Sequence, residues 1–363
     1  MKIIPNRDNV KLIGRTLESD GNLYLSLSGS GMEFEYEGKG LTLTLLGGSA
    51  SEIPNNQGNY ARMAVYENGV RTRDLQLSEP RISLRIAESP VPKKTVIRVI
   101  KLSECAMSLA GIMPIEISEG ERIRPTSKRQ RKVEFIGDSI TCGYGIDDED
   151  PLHPFQTATE DVTRAYAYKT AAALNADYSM FSISGYGIIS GYTGDPTVKM
   201  TNQRIPDFYE AMGFSYDKMP GIPAPADVAW DFQQYVPDAI IINLGTNDDS
   251  YCQDFTERQQ EYADSYVAFL KVVRKHNPKA MIFCILGLMG DRLYPWICKA
   301  VKAYSGETGD DRITTVHLPE QDASVGYVSD YHPLESAHEK AAGVLIPAVL
   351  DTMLKSGDWQ AEN

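Results

Sequence analysis

The sequence lacks three features that would have pointed to particular functions: a long apolar run, a basic cluster and paired cysteines. No stretch approaches the roughly 18 uninterrupted apolar residues that a membrane-spanning helix needs. The net charge is −13, and the densest basic stretch, residues 127–132, is short. Nucleic acid and anionic membranes are therefore disfavoured as partners.

The cysteines exclude a further group of proteins. They are five, an odd number, and none forms a CxxC pair. This argues against a disulfide framework and against a structural zinc site, and it predicts reduced, mostly buried thiols. The opening residues, MKIIPNRDNV, lack the apolar core and cleavage site of a signal peptide. The expected location is therefore cytoplasmic, or outside the cell if a leader has been removed.

The 363 residues, 42% hydrophobic and 23% charged, suffice for about two globular domains. Residues 1–118 contain short period-two patterns such as LTLTL, and Asn68-Gly69 separates two of them as a hairpin turn would. They predict an antiparallel β-sandwich of jelly-roll type. Residues 119–132 are charged, contain Pro125 and are interpreted as a linker.

Residues 133–363 have a different pattern. Apolar strand-like runs (VEFIG, YSMFSIS, AIIINLG, MIFCILG, RITTVHL) alternate with segments of helical period. This predicts an α/β/α domain with a parallel sheet, whose active crevice lies at the carboxyl ends of the strands. Residues 191–237 are rich in Gly, Pro and aromatics and are interpreted as a long functional loop.

Polar residues follow the predicted strands and should meet in that crevice. They are Asp138-Ser139, Gly185-Tyr186-Gly187, Gly245-Thr246-Asn247 and Asp330-Tyr331-His332. Together they supply a hydroxyl nucleophile, an imidazole base, a carboxylate and amide donors, which is the set that acyl transfer requires. The backbone N–H groups of Ser139 and Gly185 and the side-chain amide of Asn247 are the candidate oxyanion donors.

Four ordered motifs, GDSITCGYG, SISGYG, NLGTND and DYHP, resemble those of the SGNH (GDSL) hydrolases. GDSITCGYG and ILGLMGDRLYPWICKAV are similar to carbohydrate esterase family 2, whose acetyl esterases join an N-terminal jelly roll to an SGNH domain. The resemblance covers both halves of the chain. It implies a flavodoxin-like SGNH fold and a reaction that needs no metal and no organic cofactor.

The resemblance also implies roles for individual residues. Ser139 would be the nucleophile and His332 the base, while Gly185 and Asn247 would complete the oxyanion hole with Ser139. Many SGNH enzymes place an acid three residues before the histidine, where this chain has Ser329. The candidate third member is therefore Asp330, and a Ser-His dyad helped by backbone carbonyls is the alternative.

The implied function is carbohydrate O-acetyl esterase, acting through a Ser139 acyl-enzyme on acetylated mannan- or xylan-type oligosaccharides, with transacetylation as an additional possibility. Two other functions stay open: a lipid- or small-ester-directed GDSL esterase, and a glycan-binding protein with an inert SGNH half. The oligomeric state is not indicated by the sequence. Five aromatic residues are candidates for stacking on sugar, with packing as the alternative role for each: Tyr144, Tyr186, Trp230, Tyr294 and Trp296.

Overall fold

The computed structural model describes residues 1–56 and 58–360. They form two compact units. The N-terminal unit comprises Met1–Lys128 together with two later segments, Phe155–Asp161 and Ala211–Trp230. The remaining described residues form the C-terminal unit.

The N-terminal unit is built from short antiparallel strands. In chain order these are β1 (Lys2–Ile3), β2 (Lys11–Ile13), β3 (Thr16–Ser19), β4 (Asn22–Leu25), β5 (Gly31–Gly38), β6 (Leu41–Gly47), β7 (Arg62–Glu67), β8 (Val70–Gln76), β9 (Arg81–Ile86), β10 (Lys93–Lys101), β11 (Ala110–Ile112), β12 (Ile115–Glu116) and β13 (Arg122–Pro125). One sheet has the order β1-β12-β6-β11-β4-β3, with β9 also paired to β6. The other has the order β13-β5-β10-β7-β8, with β2 also paired to β5.

Side-chain alternation explains how these strands form a sandwich. In β6, the leucines at 41, 43 and 45 are buried while the intervening residues are half-buried. They pack with apolar residues of β5, β7 and β10 from the other sheet, so one core lies between the two sheets. The predicted hairpin joins β7 to β8, and both Asn68 (φ 51°) and Gly69 (φ 83°) have the positive φ that such a turn requires.

The C-terminal unit contains one five-stranded parallel sheet. Its strands are β14 (Arg131–Gly137), β15 (Ala176–Ser182), β16 (Ala239–Asn243), β17 (Met281–Leu288) and β18 (Ile313–Glu320). Their order, β15-β14-β16-β17-β18, is the flavodoxin-like 2-1-3-4-5 arrangement. β16 and β17 are buried throughout, as expected when helices cover both faces of a sheet. The predicted fold class, a jelly-roll-type sandwich followed by an SGNH α/β/α domain, is confirmed.

Six α-helices belong to the C-terminal unit. They are α1 (Ser139–Cys142), α2 (Tyr166–Ala173), α3 (Thr246–Cys252), α4 (Thr256–His276), α5 (Tyr294–Thr308) and α6 (Glu335–Lys355). Within the described ranges, 1–56 and 58–360, no helix combines the length and apolar character that crossing a membrane demands.

The compact units are not continuous in sequence, whereas the predicted domains were continuous ranges. The predicted linker, residues 119–132, includes β13, which pairs with β5, and the start of β14. Ala211–Trp230, part of the predicted long loop, belongs to the N-terminal unit. The carboxylate of Asp217 in this segment accepts hydrogen bonds from the Ala50 and Leu109 N–H groups at 2.9 and 2.8 Å. Such contacts leave no periodic signal in a sequence.

Candidate active site

Ser139 lies where β14 gives way to α1. The carboxylate of Asp138 accepts the N–H of Ile140 at 3.1 Å and thereby caps the helix. Gly143 then ends the helix in the left-handed conformation at φ 78°. Ser139 is therefore held in the first turn of a short helix at the carboxyl edge of the sheet, with 5% of its surface exposed.

His332 is hydrogen-bonded to Ser139. Its Nε2 lies 2.9 Å from Ser139 Oγ, and its Nδ1 lies 3.0 Å from the backbone carbonyl oxygen of Asp330. Since a carbonyl oxygen only accepts hydrogen bonds, Nδ1 must carry the proton in the neutral ring. Nε2 is then the acceptor for the Ser139 hydroxyl, which is the tautomer that a general base for this serine requires.

Burial keeps the imidazole neutral. It lowers the pKa of His332 from its ordinary value of 6.5 to about 4, because the charged ring would lose its hydration. The Asp330 carbonyl and carboxylate, which favour the charged form, offset only part of this effect. At neutral pH the ring can therefore accept a proton from Ser139.

The Asp330 carboxylate does not occupy the position predicted for it. The atom of Asp330 at His332 Nδ1 is the backbone carbonyl, and the carboxylate Oδ2 instead accepts the Tyr144 hydroxyl at 3.1 Å. The reason is local: Asp330 is left-handed (φ 52°, ψ 40°), which turns its carbonyl toward the ring. Of the two arrangements left open by the sequence, the geometry matches the dyad supported by a carbonyl.

Ser329, at the position where many SGNH enzymes have an acid, anchors this turn. Its hydroxyl donates to the His153 carbonyl at 2.9 Å, and its N–H donates to the Asp148 carbonyl at 2.7 Å. A Cβ at Gly145 (φ 62°) would lie 2.7 Å from Ser329 Cβ, so glycine permits this close approach. The histidine turn is thus fixed against the segment that follows the serine.

The candidate oxyanion donors lie on connected segments. The Asn247 amide donates to the Tyr186 carbonyl at 2.9 Å and to Asp138 Oδ2 at 3.3 Å. Asn247 is in the first turn of α3, so it links the residue before Ser139 to the residue after Gly185. The sequence-predicted residues Ser139, Gly185, Asn247 and His332 therefore lie on segments that the structure brings together, while their catalytic roles stay predictions.

Two buried carboxylates support this region. Asp248 accepts N–H groups from Ile188, Ile189 and Ser190 at 2.7–3.1 Å. Burial raises the pKa of Asp248 to about 6, although these three bonds act in the opposite direction. Burial, together with the nearby Asp248 charge, raises the pKa of Asp138 to about 7.

The other residues identified in the sequence have varied surroundings. None of the five cysteines forms a disulfide and four are buried, which confirms the prediction of reduced, mostly buried thiols. Of the five aromatics, Tyr186 and Trp230 are buried and Tyr294 stacks on His317, so packing accounts for these three. The absence of a metal and of a cofactor stays a prediction.

Sequence reasoning did not anticipate where Tyr144 lies. Tyr144 stacks on the imidazole of His332, with ring centroids 3.8 Å apart. A second histidine, His338, is 1% exposed, and its Nδ1 accepts the Tyr166 N–H at 3.2 Å. The position of Tyr144 five residues after the serine was visible, but nothing in the sequence distinguished a partner of histidine from a partner of sugar.

Ser139 is hydrogen-bonded to a neutral histidine at the carboxyl ends of a flavodoxin-like sheet. This arrangement is typical of a serine hydrolase of the SGNH type. The GDSL-like Lipase/Acylhydrolase family matches residues 135–340, which is more than half of the chain. The chain belongs to this family, as its motifs predicted.

Two relatives of known name are esterases that act on carbohydrates, according to those names. The chain is 31% identical over 247 residues to cellulase/esterase CelE of Acetivibrio thermocellus, a match that covers 67% of this chain and 28% of CelE. It is 26% identical over 324 residues to an acetylxylan esterase / glucomannan deacetylase of Cellvibrio japonicus, covering 87% of this chain and 82% of that protein. The chain thus spans less than a third of the length of CelE.

Solved structures extend the likeness to nearly the whole chain. A family two carbohydrate esterase from Clostridium thermocellum, determined with cellohexaose, has a TM-score of 0.80 at 25% identity, covering 95% of this chain and 99% of that one. The acetyl xylan esterase Est2A from the rumen bacterium Butyrivibrio proteoclasticus shares the fold, with a TM-score of 0.82 at 23% identity over 97% and 98% of the two chains. The resemblance to carbohydrate esterase family 2 is confirmed.

Proposed function

We propose that this protein is a carbohydrate O-acetyl esterase that removes acetyl groups from mannan- or xylan-type oligosaccharides. The single observation that carries the proposal is the hydrogen-bonded series Ser139 Oγ, His332 Nε2, His332 Nδ1 and Asp330 carbonyl. The full-length likeness to carbohydrate esterases supports the substrate class. The name acetylxylan esterase / glucomannan deacetylase, borne by a relative that aligns over 87% of this chain, supports the acetyl group and the polymer type.

In the proposed reaction, His332 Nε2 takes the proton of Ser139 Oγ as that oxygen attacks the acetyl carbonyl carbon. The resulting oxyanion accepts hydrogen bonds from the N–H groups of Ser139 and Gly185 and from the Asn247 amide. His332 then gives its proton to the sugar oxygen as the ester bond breaks. Water attacks the acetyl-serine in the same way and releases acetate.

The Asn247 amide must change partners to serve the oxyanion. Its two hydrogens donate to Tyr186 and Asp138, and the bond to Asp138 is the longer one at 3.3 Å. The oxyanion of the tetrahedral intermediate would compete with Asp138 for that hydrogen. It carries a full charge, whereas burial raises the pKa of Asp138 to about 7 and favours its neutral form. Asn247 would then donate to the transition state more strongly than to the ground state, which is what accelerates a reaction.

Acetate release tests the proposal. We expect the wild type to release acetate from acetylated manno- or xylo-oligosaccharides, and Ser139→Ala to lose about 10³-fold or more of that rate because no nucleophile remains. NMR of the product identifies the hydroxyl that is deacetylated. Ser305→Ala, a change on α5, is the matched control and should retain full activity. Activity of Ser139→Ala near that of the wild type would contradict the mechanism.

The acyl chain separates this function from the lipid-directed alternative. A pocket shaped for acetyl should prefer p-nitrophenyl acetate to p-nitrophenyl octanoate by at least about tenfold in kcat/KM, since it would not accommodate the longer chain. Preference for octanoate would favour the lipid- or small-ester-directed function. If the protein binds oligosaccharides but hydrolyses neither them nor p-nitrophenyl acetate, the result would favour a glycan-binding protein.

A further inference from the structure

Tyr144 is fixed to the segment that carries the candidate nucleophile. Its N–H donates to the carbonyl oxygen of Ser139 at 3.2 Å, across the end of α1. Gly143, left-handed between them, closes the helix and turns the chain. The backbone of Tyr144 therefore holds a defined position relative to Ser139.

The ring of Tyr144 covers one face of the imidazole of His332. The two rings are nearly parallel, with an interplanar angle of 20° and centroids 3.8 Å apart. A flat contact at this distance opposes rotation of the imidazole and keeps water from that face. It also places an aromatic face against the ring that becomes positively charged in the reaction, an arrangement that attracts cations.

The hydroxyl of Tyr144 reaches the turn that orients the same imidazole. It donates to Asp330 Oδ2 at 3.1 Å, while the Asp330 carbonyl accepts from His332 Nδ1. Asp330 and Tyr331 are both left-handed, with φ of 52° and 58°. Non-glycine residues persist in this conformation only where their surroundings hold them. Ser329 anchors the turn on its preceding side, and Tyr144 restrains the Asp330 side chain.

We propose that Tyr144 is a positioning residue for His332: its ring fixes the plane of the imidazole, and its hydroxyl holds the left-handed turn whose carbonyl selects the tautomer. The inference rests on the proposed esterase chemistry at Ser139, but it does not depend on which sugar is the substrate. Tyr144 thus serves the histidine and is not a stacking surface for the sugar.

Kinetics on p-nitrophenyl acetate, which contains no sugar, test this role. Tyr144→Phe keeps the ring and removes the bond to Asp330, so kcat should fall about tenfold with KM changed less than about twofold. Tyr144→Leu also removes the ring contact, and kcat should fall about 100-fold, the scale expected when a catalytic group shifts by about 1 Å. Tyr168→Phe, on α2 beside Tyr178, is the matched control and should be unchanged.

The pH profile of kcat/KM distinguishes a positioning role from a merely structural one, because loss of stability alone would not shift its acid limb. In Tyr144→Leu one face of the imidazole is exposed to water, which should raise the pKa of His332 more than loss of the ring's attraction for the charged form lowers it. The acid limb of kcat/KM should therefore shift to higher pH. The groups facing His332 are Ser139, the Asp330 carboxylate and carbonyl, Tyr144 and the second histidine, His338. Tyr144→Phe loses the same hydroxyl but keeps the ring, so the part of the shift seen only in Tyr144→Leu reports loss of the Tyr144 ring.

A double-mutant cycle isolates the hydroxyl. If Tyr144 acts through Asp330, then Asp330→Ala should lower kcat about as much as Tyr144→Phe, and the double variant should be no worse than either. Additive losses would overturn this part of the proposal. The cycle uses Tyr144→Phe and Asp330→Ala, so it can be measured even if Tyr144→Leu does not fold.

Two results would overturn the proposal as a whole. One is an unchanged kcat for Tyr144→Leu on p-nitrophenyl acetate with the acid limb in place. The other is a rise in KM confined to acetylated oligosaccharides, which would make Tyr144 a sugar contact. Failure of the substrate proposal looks different: the wild type would hydrolyse p-nitrophenyl acetate but not oligosaccharides, while the Tyr144 effects persisted.

Discussion

The carbonyl of Asp330 accepts from His332, whereas its carboxylate accepts from Tyr144. Substitution of Asp330 can therefore test the effect of the side chain separately from that of the carbonyl. The carbonyl sets the orientation of His332, and every residue type at position 330 retains a carbonyl. The conformation that aims it, φ 52° and ψ 40°, depends on the side chain. Asparagine tolerates this region well, whereas a β-branched residue there is strained by about 1–3 kcal/mol.

We therefore expect Asp330→Asn to retain kcat/KM on p-nitrophenyl acetate within about tenfold, because the amide oxygen can still accept the Tyr144 hydroxyl. Asp330→Val should lose more, since relief of its backbone strain moves the carbonyl away from Nδ1. His332→Ala, which removes the proposed base, sets the scale of complete loss. An Asp330→Asn variant as inactive as His332→Ala would show that the carboxylate charge is required.

The same residue marks the limit of prediction from motifs. The DYHP motif identified His332 and Asp330, and the strand ends identified Ser139 and Asn247, because parallel strands deliver their following residues to one edge. The motif could not show which oxygen of Asp330 would face the imidazole. That choice depends on the left-handed conformation of Asp330, which is held by the hydrogen bonds of Ser329 to His153 and of Tyr144 to the Asp330 side chain.

Among the elements, α3 combines two tasks in its first turn. Asn247 reaches toward Asp138, and the next residue, Asp248, holds the loop after β15 by accepting three consecutive N–H groups. The loop closes tightly around this carboxylate: a Cβ at Gly187 would lie 2.5 Å from Asp248 Oδ2. The position of Gly185 in the proposed oxyanion hole therefore depends on Asp248.

Replacing Asp248 should affect both stability and rate. Asp248→Asn puts an amide donor toward backbone donors, so we expect the free energy of unfolding to fall by about 1–3 kcal/mol. The rate kcat should fall by about tenfold or more as the loop moves. Asp249→Asn is the matched control, since Asp249 is the neighbouring acid and pairs with Arg292 at 3.5 Å. Urea unfolding and p-nitrophenyl acetate kinetics measure both effects, and equal behaviour of the two variants would contradict this role.

Regular elements were predictable to different degrees. All five strands of the parallel sheet and the longer helices α2, α4, α5 and α6 were visible as apolar periodicity. The short helices α1 and α3 were not, because a single turn following a strand is stabilised by caps and tertiary bonds, such as Asp138 on Ile140. Residues 155–161 and 211–230 belong to the N-terminal unit, and the hydrogen bonds that hold them there, such as Glu104 N–H to Glu160 and Leu109 N–H to Asp217, have no sequence period.

For the molecule as a whole, buried titratable groups make stability depend on pH in opposing ways. Burial raises the pKa values of Asp138 and Asp248 to about 7 and about 6. These two acids therefore make the folded protein more stable, relative to the unfolded chain, as pH falls below about 7. Burial lowers the pKa values of His332 and His338 to about 4 and about 3, so their contribution is lost as pH falls. The pH dependence of the wild type is the sum of the two.

His338 allows one contribution to be separated from the rest. Its ring is buried and neutral in the folded state, while in the unfolded chain it takes up a proton near pH 6.5, so its stability is present above pH 6.5 and is lost as pH falls toward 3. His338→Gln retains an acceptor for the Tyr166 N–H but does not titrate. Urea unfolding should therefore show the advantage of the wild type over this variant shrinking by about 3 kcal/mol between pH 7.5 and 4.5. His317→Gln, at a half-exposed site, is the control and should give a smaller change. A constant difference between wild type and His338→Gln across this range would mean that His338 is protonated in both states or in neither.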